Sequence, residues 1–473
     1  MKRAECYADW KKAALAHDAM SGSEVWKHKE ESDNYDHTNI RSRLDVIKKL
    51  RQQEDDIGLL FALNEGIHGN QGGMGKSILY ELAKFGTKCL ITEYVNEIVD
   101  ALDHLSNLPE SSGITQEEKL DFFERASHCF GRSALMLSGA GSLGHFHRGV
   151  VKTLYEHQMI PTVISGSSAG SVSAAMLGTY SDKELAIALK DDSILHPDQI
   201  EIDKRRRNLI RKQTDTKSLK LLLETIIPDM TFQEAYEKTG RMISITIAPH
   251  EEHQKSRLMN AITSPNVFVR SAVMASCAVP GVFEPVMLMA KNVYGETQPY
   301  LPDRLWVDGA VTDDLPAKRL ARLYGVNHYI VSQANPLSLA IMRGEQYIPV
   351  PQGVKNVIRL STHEILKSGE SFSRRYLRKL PKVGKTMGMF YSIMAQDYKG
   401  DVNIVPSFNF VNPQKLLGQL NSTEIKQLIM DGERSTWPHL EQIITCSKIG
   451  HKLDEILEQH NDHNIKRLYK KRR

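Results

Sequence analysis

The feature that most constrains the fold is an alternation of short apolar runs and helical stretches in the middle of the chain. The apolar run 133–138 (SALMLS) precedes a glycine-rich turn and a helical stretch, and the run 162–165 (TVIS) precedes a second turn and helix. Strand, turn and helix repeated in this order predict an α/β fold, in which helices cover a parallel sheet. The segments 242–249, 304–310 and 328–336 predict further strands.

The rest of the chain divides around this pattern. Its 473 residues predict about two to four domains. Residues 1–130 space their apolar side chains three and four apart, which predicts an N-terminal helical domain. Residues 131–340 form the predicted α/β domain, and the charged stretch 181–240 within it is expected to be an inserted helical cap. Residues 341–473 are polar again and predict a C-terminal helical, basic region.

Composition excludes several classes of protein. The net charge of +4 is small for this length and does not predict a partner nucleic acid. The five cysteines are scattered without a CxxC pair, so we expect neither a disulfide framework nor a zinc site. The longest apolar run, 271–283, is too short to cross a bilayer, and the N-terminus lacks a signal-peptide core. We expect a cytoplasmic protein, with peripheral attachment to a membrane left open.

The segment 68–77 (HGNQGGMGKS) resembles a phosphate-binding P-loop only at its end, Gly75-Lys76-Ser77. The P-loop pattern requires a glycine at position 70, which is Asn70 in this chain. The residues ahead of it are also too polar for the required strand. We therefore expect no nucleotide here and interpret the segment as a glycine-rich connection.

A second glycine loop follows the first predicted strand and opens a helix, as in dinucleotide-binding proteins. A dinucleotide site also requires an acidic residue at the end of the next strand, and the sequence there (VISGSS) has none. The amides of such a loop can still stabilise a negative charge at the start of the helix. The loop consists of Gly139, Ala140, Gly141, Ser142, Leu143 and Gly144.

A G-x-S-x-G sequence lies at the junction of the second predicted strand and its helix. This pattern at this place predicts a nucleophile elbow, which exposes a serine hydroxyl above the sheet. The nucleophile would be Ser168, and its neighbours in the motif are Gly166, Ser167, Ala169 and Gly170. Because neighbouring parallel strands end at one edge, the amides of Gly139, Ala140 and Gly141 are expected to form an oxyanion hole for this serine.

A serine nucleophile needs a base. Asp308 ends a predicted strand before Gly309 and Ala310, where a carboxylate can reach the serine directly. The downstream histidines His328, His363, His439 and His451 show no special local context. His145 and His147 begin the first helix of the α/β domain, where solvated or helix-capping roles are expected.

Three ordered motifs, LSGAGSLGHFHRGVVKTL, ISGSSAGSVSAA and VDGAVTDDLPAKRL, resemble those of the patatin-like phospholipases. The helical segment before them resembles the domain that precedes the patatin domain in fungal-type triacylglycerol lipases and bacterial relatives. The resemblance implies a patatin-like three-layer α/β/α domain with a mostly parallel sheet. It also implies a Ser–Asp dyad that works without histidine, metal or cofactor, with Ser168 as nucleophile and Asp308 as base.

The expected function is serine hydrolysis of fatty-acyl esters in glycerolipids, by a lipase or phospholipase. Transfer of the acyl group to a lysophospholipid on the same site is an alternative, as is a non-catalytic or dinucleotide-binding protein. In the family the glycine loop usually carries a middle glycine and a basic residue, where this chain has Ala140 and Leu143. The missing cation is consistent with neutral glycerides as substrates.

Lipid is the expected partner, at a membrane or lipid-droplet surface. Basic residues that can meet an anionic bilayer cluster at 204–207, 374–379 and 470–473. The segment 376–394 mixes basic and apolar residues and is the first candidate for this contact. The sequence does not separate triacylglycerol, phospholipid and lysophospholipid substrates.

Overall fold

The structure is a computed structural model of the chain. It describes residues 1, 3–190, 216–251, 255–280, 282–336, 338–339, 400–407 and 420–471.

The N-terminal part is helical, as the sequence predicts. Its helices are α1 (Tyr7–Ser21), α2 (Ser23–His28), α3 (His37–Gln52), α4 (Asp56–Asn64), α5 (Ile78–Glu81), α6 (Cys89–Asn107) and α7 (Gln116–Phe130). The predicted start of α7 is a capping box. Thr115 accepts the amide of Glu118, and the Glu118 carboxylate accepts the amide of Thr115.

A seven-stranded sheet forms the centre of the α/β part. The strands among the described residues are β1 (Arg132–Leu137), β2 (Val163–Gly166), β3 (Met242–Pro249), β4 (Arg257–Asn260), β5 (Met289–Lys291), β6 (Thr297–Pro299), β7 (Trp306–Asp308), β8 (Val326–Ser332) and β9 (Val402–Ile404). The sheet order is β4-β3-β2-β1-β8-β9, with β7 also paired to β3, while β5 and β6 form a separate hairpin. Strands β3, β2, β1, β8 and β9 are parallel to one another, and β4 and β7 run antiparallel to β3.

The two faces of the sheet bury alternate residues of each strand. In β1, Leu135 and Leu137 belong to the larger core cluster, whereas Ala134 and Met136 belong to a cluster on the opposite face. This alternation follows from the two-residue period of a strand. A sheet with both faces buried is a three-layer arrangement, which agrees with the predicted fold class.

The remaining helices cover these two faces. They are α8 (His145–Glu156), α9 (Ala169–Thr179), α10 (Asp182–Lys190), α11 (Thr216–Ile226), α12 (Phe232–Thr239), α13 (Val269–Ser276), α14 (Ala310–Asp313), α15 (Ala317–Tyr324), α16 (Ser422–Thr436) and α17 (Leu440–Lys471). Val150 of α8 and Ala174 of α9 pack in the larger cluster, and Leu320 of α15 packs on the opposite face. In the described part of the predicted cap, Leu223 and Phe232 are buried in the larger cluster.

The long C-terminal helix α17 joins the core of the N-terminal helices. Its side chains Ile449, Leu453 and Ile456 are buried in the same cluster as residues of α3, α6 and α7. The spacing of four and three residues puts them on one face of the helix. The polar residues between them lie on the other faces, which explains why the sequence of this region reads as polar.

The P-loop-like segment is a junction between three parts of the chain. The Ser77 hydroxyl donates to the carbonyl of Asp401 at 2.6 Å, beside β9. The side-chain amide of Gln442 in α17 donates to the carbonyl of Gly75 at 3.2 Å. These contacts give the segment a structural role in joining the N-terminal helices to the sheet and to α17.

None of the described helices combines the length and the apolar character that a membrane span needs.

Candidate active site

Three turns meet at one edge of the sheet. Leu137 at the end of β1 pairs with Gly166 of β2 and with Ser332 of β8, so these parallel strands end at the same level. Strand β3 continues past this level, and its Ile247 pairs with Asp308 of β7. The glycine loop after β1, the turn after β2 and the end of β7 therefore lie side by side, as expected for the ligand-binding edge of an α/β sheet.

The turn after β2 holds Ser168 in a strained backbone conformation. Its φ and ψ are 49° and −125°, the geometry of the first central position of a type II′ turn, which favours glycine. A Cβ at Gly166 would lie 2.4 Å from the carbonyl oxygen of Gly170, and a Cβ at Gly170 would lie 2.2 Å from that of Leu137. Only glycine fits at both positions, which is the steric condition for a nucleophile elbow.

The hydroxyl of Ser276 fixes the backbone of this turn. No motif in the sequence singles out this serine. The amide of Ser168 donates to the Oγ of Ser276 at 2.8 Å, and that hydroxyl donates to the carbonyl of Thr246 at 2.8 Å. Ser276 is fully buried at the end of α13. It occurs in the longest apolar run of the chain, so only the tertiary contact distinguishes it from a small core residue.

Asp308 lies directly beside Ser168, and the Ser168 side chain hydrogen-bonds to its carboxylate. The carboxylate also accepts the amide of Ala310 at 2.8 Å and is only 3% exposed. The backbone after β7 packs closely against Thr246, because a Cβ at Gly309 would lie 2.6 Å from the carbonyl of that residue. The predicted nucleophile and the predicted base are therefore in contact.

Burial changes the acid–base property of this carboxylate. Loss of water around Asp308 disfavours its charged form and raises its pKa to about 7. The hydrogen bonds from Ala310 and Ser168 act in the opposite direction but do not cancel the effect. A carboxylate with a pKa near neutrality is suited to accept a proton from a hydroxyl at physiological pH.

The glycine loop lies against the serine. A Cβ at Gly139 would be 3.4 Å from the Cβ of Ser168. The amide of Gly139 donates to Asp314 at 2.7 Å, so this predicted oxyanion donor already has an acceptor. Among the residues that the structure describes, the amides of Ala140 and Gly141 have no such acceptor. Two of the three predicted donors are thus available to a ligand.

The remaining motif residues support the two turns. Gly141–Gly144 form a 3₁₀ turn that leads into α8, and Leu143 of this turn is buried in the larger core cluster. Ser142 is half-buried in the same turn. A Cβ at Gly144 would be 2.9 Å from the Cβ of Ala169, so the glycine loop and the elbow touch. Ser167 is fully buried.

The expectation of a solvated or helix-capping role is wrong for His147. Its ring is fully buried, and burial lowers its pKa to about 4, which keeps the ring neutral. Nε2 lies 3.0 Å from the carbonyl of Ser138, and Nδ1 lies 2.7 Å from the hydroxyl of Ser332. Because a carbonyl can only accept, Nε2 carries the proton and donates it, while Nδ1 accepts from the hydroxyl. His147 thus fixes the residue before the glycine loop.

Of the downstream histidines, the structure describes His328, His439 and His451. His328 hydrogen-bonds to Ser133 at 2.9 Å at the start of β1, and His439 is buried with its pKa lowered to about 4. In the described ranges, no histidine forms a hydrogen bond with Ser168. His363 lies outside the described residues.

Comparison with known proteins identifies the family that the chain resembles. The family model "Patatin-like phospholipase" matches residues 135–321, and a "Domain of unknown function (DUF3336)" matches residues 1–128. The chain is 33% identical to a triacylglycerol lipase of Arabidopsis thaliana, over 96% of this chain and 57% of that protein. It is 31% identical to a triacylglycerol lipase of Schizosaccharomyces pombe, over 92% of both chains. Triacylglycerol lipase 4 of Saccharomyces cerevisiae is 31% identical, over 93% of this chain and 50% of that protein.

The fold and the elbow define an α/β protein with a serine at the ligand-binding edge of its sheet. This chain belongs to the patatin-like phospholipase family, and the alignment with the Schizosaccharomyces pombe relative covers 92% of the chain. The resemblance drawn from the three motifs is confirmed.

The strain at position 168 can be measured through stability. We expect Ser168→Gly to be more stable than Ser168→Ala by about 1 kcal/mol, because glycine relieves a backbone strain of about 1–3 kcal/mol. Both variants lose the same hydroxyl, so its contribution cancels. Urea unfolding measures the difference.

The matched control is Ser173 in the regular helix α9, where glycine should be less stable than alanine by about 1 kcal/mol. The same order at position 168 as at position 173 would show that the elbow is unstrained.

Proposed function

We propose that this chain hydrolyses fatty-acyl esters of glycerolipids, with Ser168 as the nucleophile and Asp308 as the general base. The contact between the Ser168 side chain and the buried Asp308 carboxylate is the observation that carries this proposal. The elbow directs the serine to the edge where ligands of α/β sheets bind.

The reaction proceeds in two acyl-transfer steps. Asp308 accepts the hydroxyl proton as Oγ of Ser168 forms a bond to the ester carbonyl carbon. The tetrahedral intermediate breaks the bond to the alcohol, which leaves with the proton from Asp308 and gives an acyl-serine. Water then attacks the acyl-serine, Asp308 takes its proton, and the fatty acid leaves as Oγ of Ser168 is reprotonated.

Negative charge on the carbonyl oxygen of each tetrahedral intermediate has to be stabilised. The Ala140 and Gly141 amides lie in the loop that contacts Ser168 and have no acceptor in the described part of the chain. Loss of one oxyanion donor typically lowers kcat by about 100- to 1,000-fold. We assign the oxyanion hole to these two amides.

We propose neutral glycerides as the substrate class. The relatives from Arabidopsis and the two yeasts are named triacylglycerol lipases. Leu143, where the family usually carries a cation, is buried in the core and offers no charge to a phosphate head group. Transfer of the acyl group to another lipid would use the same acyl-serine, with a lipid hydroxyl in place of water.

The nucleophile can be tested with a fluorophosphonate probe. The wild type should be labelled and should hydrolyse a soluble short-chain ester, whereas Ser168→Ala should do neither. Asp308→Asn should lower kcat by about 100-fold or more, because general-base catalysis typically supplies about 10²–10⁴-fold. In-gel fluorescence and steady-state kinetics measure these effects.

Ser173→Ala, which changes a serine of α9 outside the elbow, is the control and should be labelled like the wild type. Labelling that persists in Ser168→Ala, or a wild type without Ser168-dependent turnover, contradicts the proposal.

The raised pKa of Asp308 predicts the pH dependence of hydrolysis. Only the ionised carboxylate can accept the serine proton, so kcat/KM should fall as the pH drops below about 7. Above that pH the rate should reach a plateau. Measurement of kcat/KM on a soluble ester between about pH 5 and about pH 9 checks this. A rate that stays constant down to about pH 5 is incompatible with a desolvated Asp308 as the base.

We further propose that the enzyme contacts a lipid surface through the tip of the β5–β6 hairpin. Val293 and Tyr294 at this tip are 91% and 85% exposed. The hairpin lies in the segment between Val286 and Trp306, which pair with each other just before Asp308. The basic segments 204–207 and 374–394 and the terminal residues 472–473 lie outside the described residues.

Removal of the apolar tip should weaken binding to lipid. Full burial of a valine-sized side chain contributes about 1.5–3 kcal/mol, so Val293→Ser with Tyr294→Ser should reduce partitioning to a triacylglycerol emulsion by about tenfold or more. Turnover of a soluble ester should not change. Co-flotation with the emulsion measures partitioning.

Met20, an apolar residue of α1 that is 90% exposed, provides the control. If Met20→Ser weakens flotation as much as the hairpin double variant, the hairpin has no special role.

A further inference from the structure

Asp314 is a second buried carboxylate beside the site, and the proposed reaction does not use it directly. It is 1% exposed and lies just after α14. Its Oδ1 accepts the amide of Gly139 at 2.7 Å, and its Oδ2 accepts the side-chain amide of Asn335 at 3.2 Å. One side chain thus connects the segment after Asp308, the glycine loop and the turn after β8.

The backbone conformation of Gly139 determines the direction of the oxyanion donor that follows it. The amide of Ala140 belongs to the peptide that follows Gly139, so its direction is set by the backbone angles of a residue without a Cβ. The peptide before Gly139 is fixed from both sides. His147 donates to the carbonyl of Ser138 at 3.0 Å, and Asp314 accepts the amide of Gly139.

Two described contacts lie directly before the amides of Ala140 and Gly141. The amide of Gly139 donates to Asp314 at 2.7 Å, and the carbonyl of Gly139 accepts the hydroxyl of its neighbour Ser138 at 3.1 Å. Ser138 is itself held by the amide of Ala334, which donates to its hydroxyl at 2.9 Å. Beyond Gly139, the next backbone bond is within the 3₁₀ turn, from the amide of Leu143 to the carbonyl of Ala140 at 3.1 Å. Without Asp314, the amide of Gly139 would lose its only described acceptor.

We propose that Asp314 is a positioning residue, which holds the Gly139 peptide so that the amides of Ala140 and Gly141 face the developing oxyanion. This inference rests on the proposed ester hydrolysis at Ser168. It assigns Asp314 a part in the reaction without contact with the substrate.

The required property of Asp314 is its acceptor oxygen rather than its charge. Burial raises the pKa of Asp314 to about 7, and the negative charge of Asp308 acts in the same direction. A protonated carboxyl group still has an oxygen that accepts a hydrogen bond. Gly139 can therefore keep its acceptor in either protonation state, and an uncharged side chain with an oxygen in the same place should serve as well.

Three variants separate the acceptor from the charge. Asp314→Ala removes the acceptor. Asp314→Asn keeps an oxygen for Gly139 but turns an amide toward the amide of Asn335, donor against donor. Adding Asn335→Asp to Asp314→Asn restores an acceptor for that amide, so the double variant keeps both bonds. Asp313→Ala is the matched control, since Asp313 forms its ion pair with Arg319 at 3.2 Å.

We expect Asp314→Ala to lower kcat on a soluble ester by about 100-fold with KM changed less than about threefold, because the oxyanion forms only after the ground state. The kcat of the double variant should lie within about tenfold of the wild-type value, and the kcat of Asp313→Ala should equal the wild-type value. Hydrogen–deuterium exchange of peptides covering 138–144 should be faster in Asp314→Ala than in the wild type.

The outcomes separate this inference from the proposed function. If the wild type shows no Ser168-dependent turnover, the proposed function fails, and this inference fails with it. If the wild type is active and Asp314→Ala keeps its kcat, only the role of Asp314 is overturned. Should Asp314→Ala fail to fold, the double variant decides, because a folded double variant that is more than about 100-fold slower than the wild type also overturns it.

Discussion

The burial of the Asp308 carboxylate beside Ser168 is the constraint on which the rest of the site depends. An aspartate in water is a weak base at neutral pH, whereas desolvation raises the pKa of Asp308 to about 7. The enclosure comes from several turns that are distant in sequence. Strand β7 brings the carboxylate to the part of β3 that extends past its parallel neighbours, and the tight exit at Gly309 keeps it against the backbone of Thr246.

The enclosure also has to hold a strained nucleophile and a glycine-rich loop. Backbone strain of the kind seen at Ser168 typically costs about 1–3 kcal/mol and persists only when its surroundings fix it. Buried hydroxyls and carboxylates do this here: Ser276 holds the amide of Ser168, and Asp314 holds that of Gly139. Each polar group is itself satisfied by a second partner, which is the condition for burying it. The site is thus stiffened by hydrogen bonds that no single motif contains.

The outer helices support the same loop through α8. This helix starts at the glycine loop and carries His147, which fixes Ser138. It is crossed closely by α16, because a Cβ at Gly149 would lie 1.9 Å from the carbonyl of Ile429. The following helix, α17, packs its face around Leu453 into the core of the N-terminal helices. The N-terminal and C-terminal parts of the chain therefore brace the layer from which the glycine loop emerges.

The sequence by itself determined the α/β fold class, the places of five strands along the chain and the positions of the glycine loop, the elbow and Asp308. Each of these rests on a local pattern, because turns and strand ends depend on residues adjacent in the chain. The antiparallel direction of β7, the role of Ser276, the burial of His147 and the docking of α17 were decided by the tertiary structure. The tertiary structure also decided the different roles of two neighbouring carboxylates. Asp313 pairs with Arg319, whereas Asp314 accepts the amide of Gly139. These features depend on contacts between residues far apart in sequence, which no local pattern encodes.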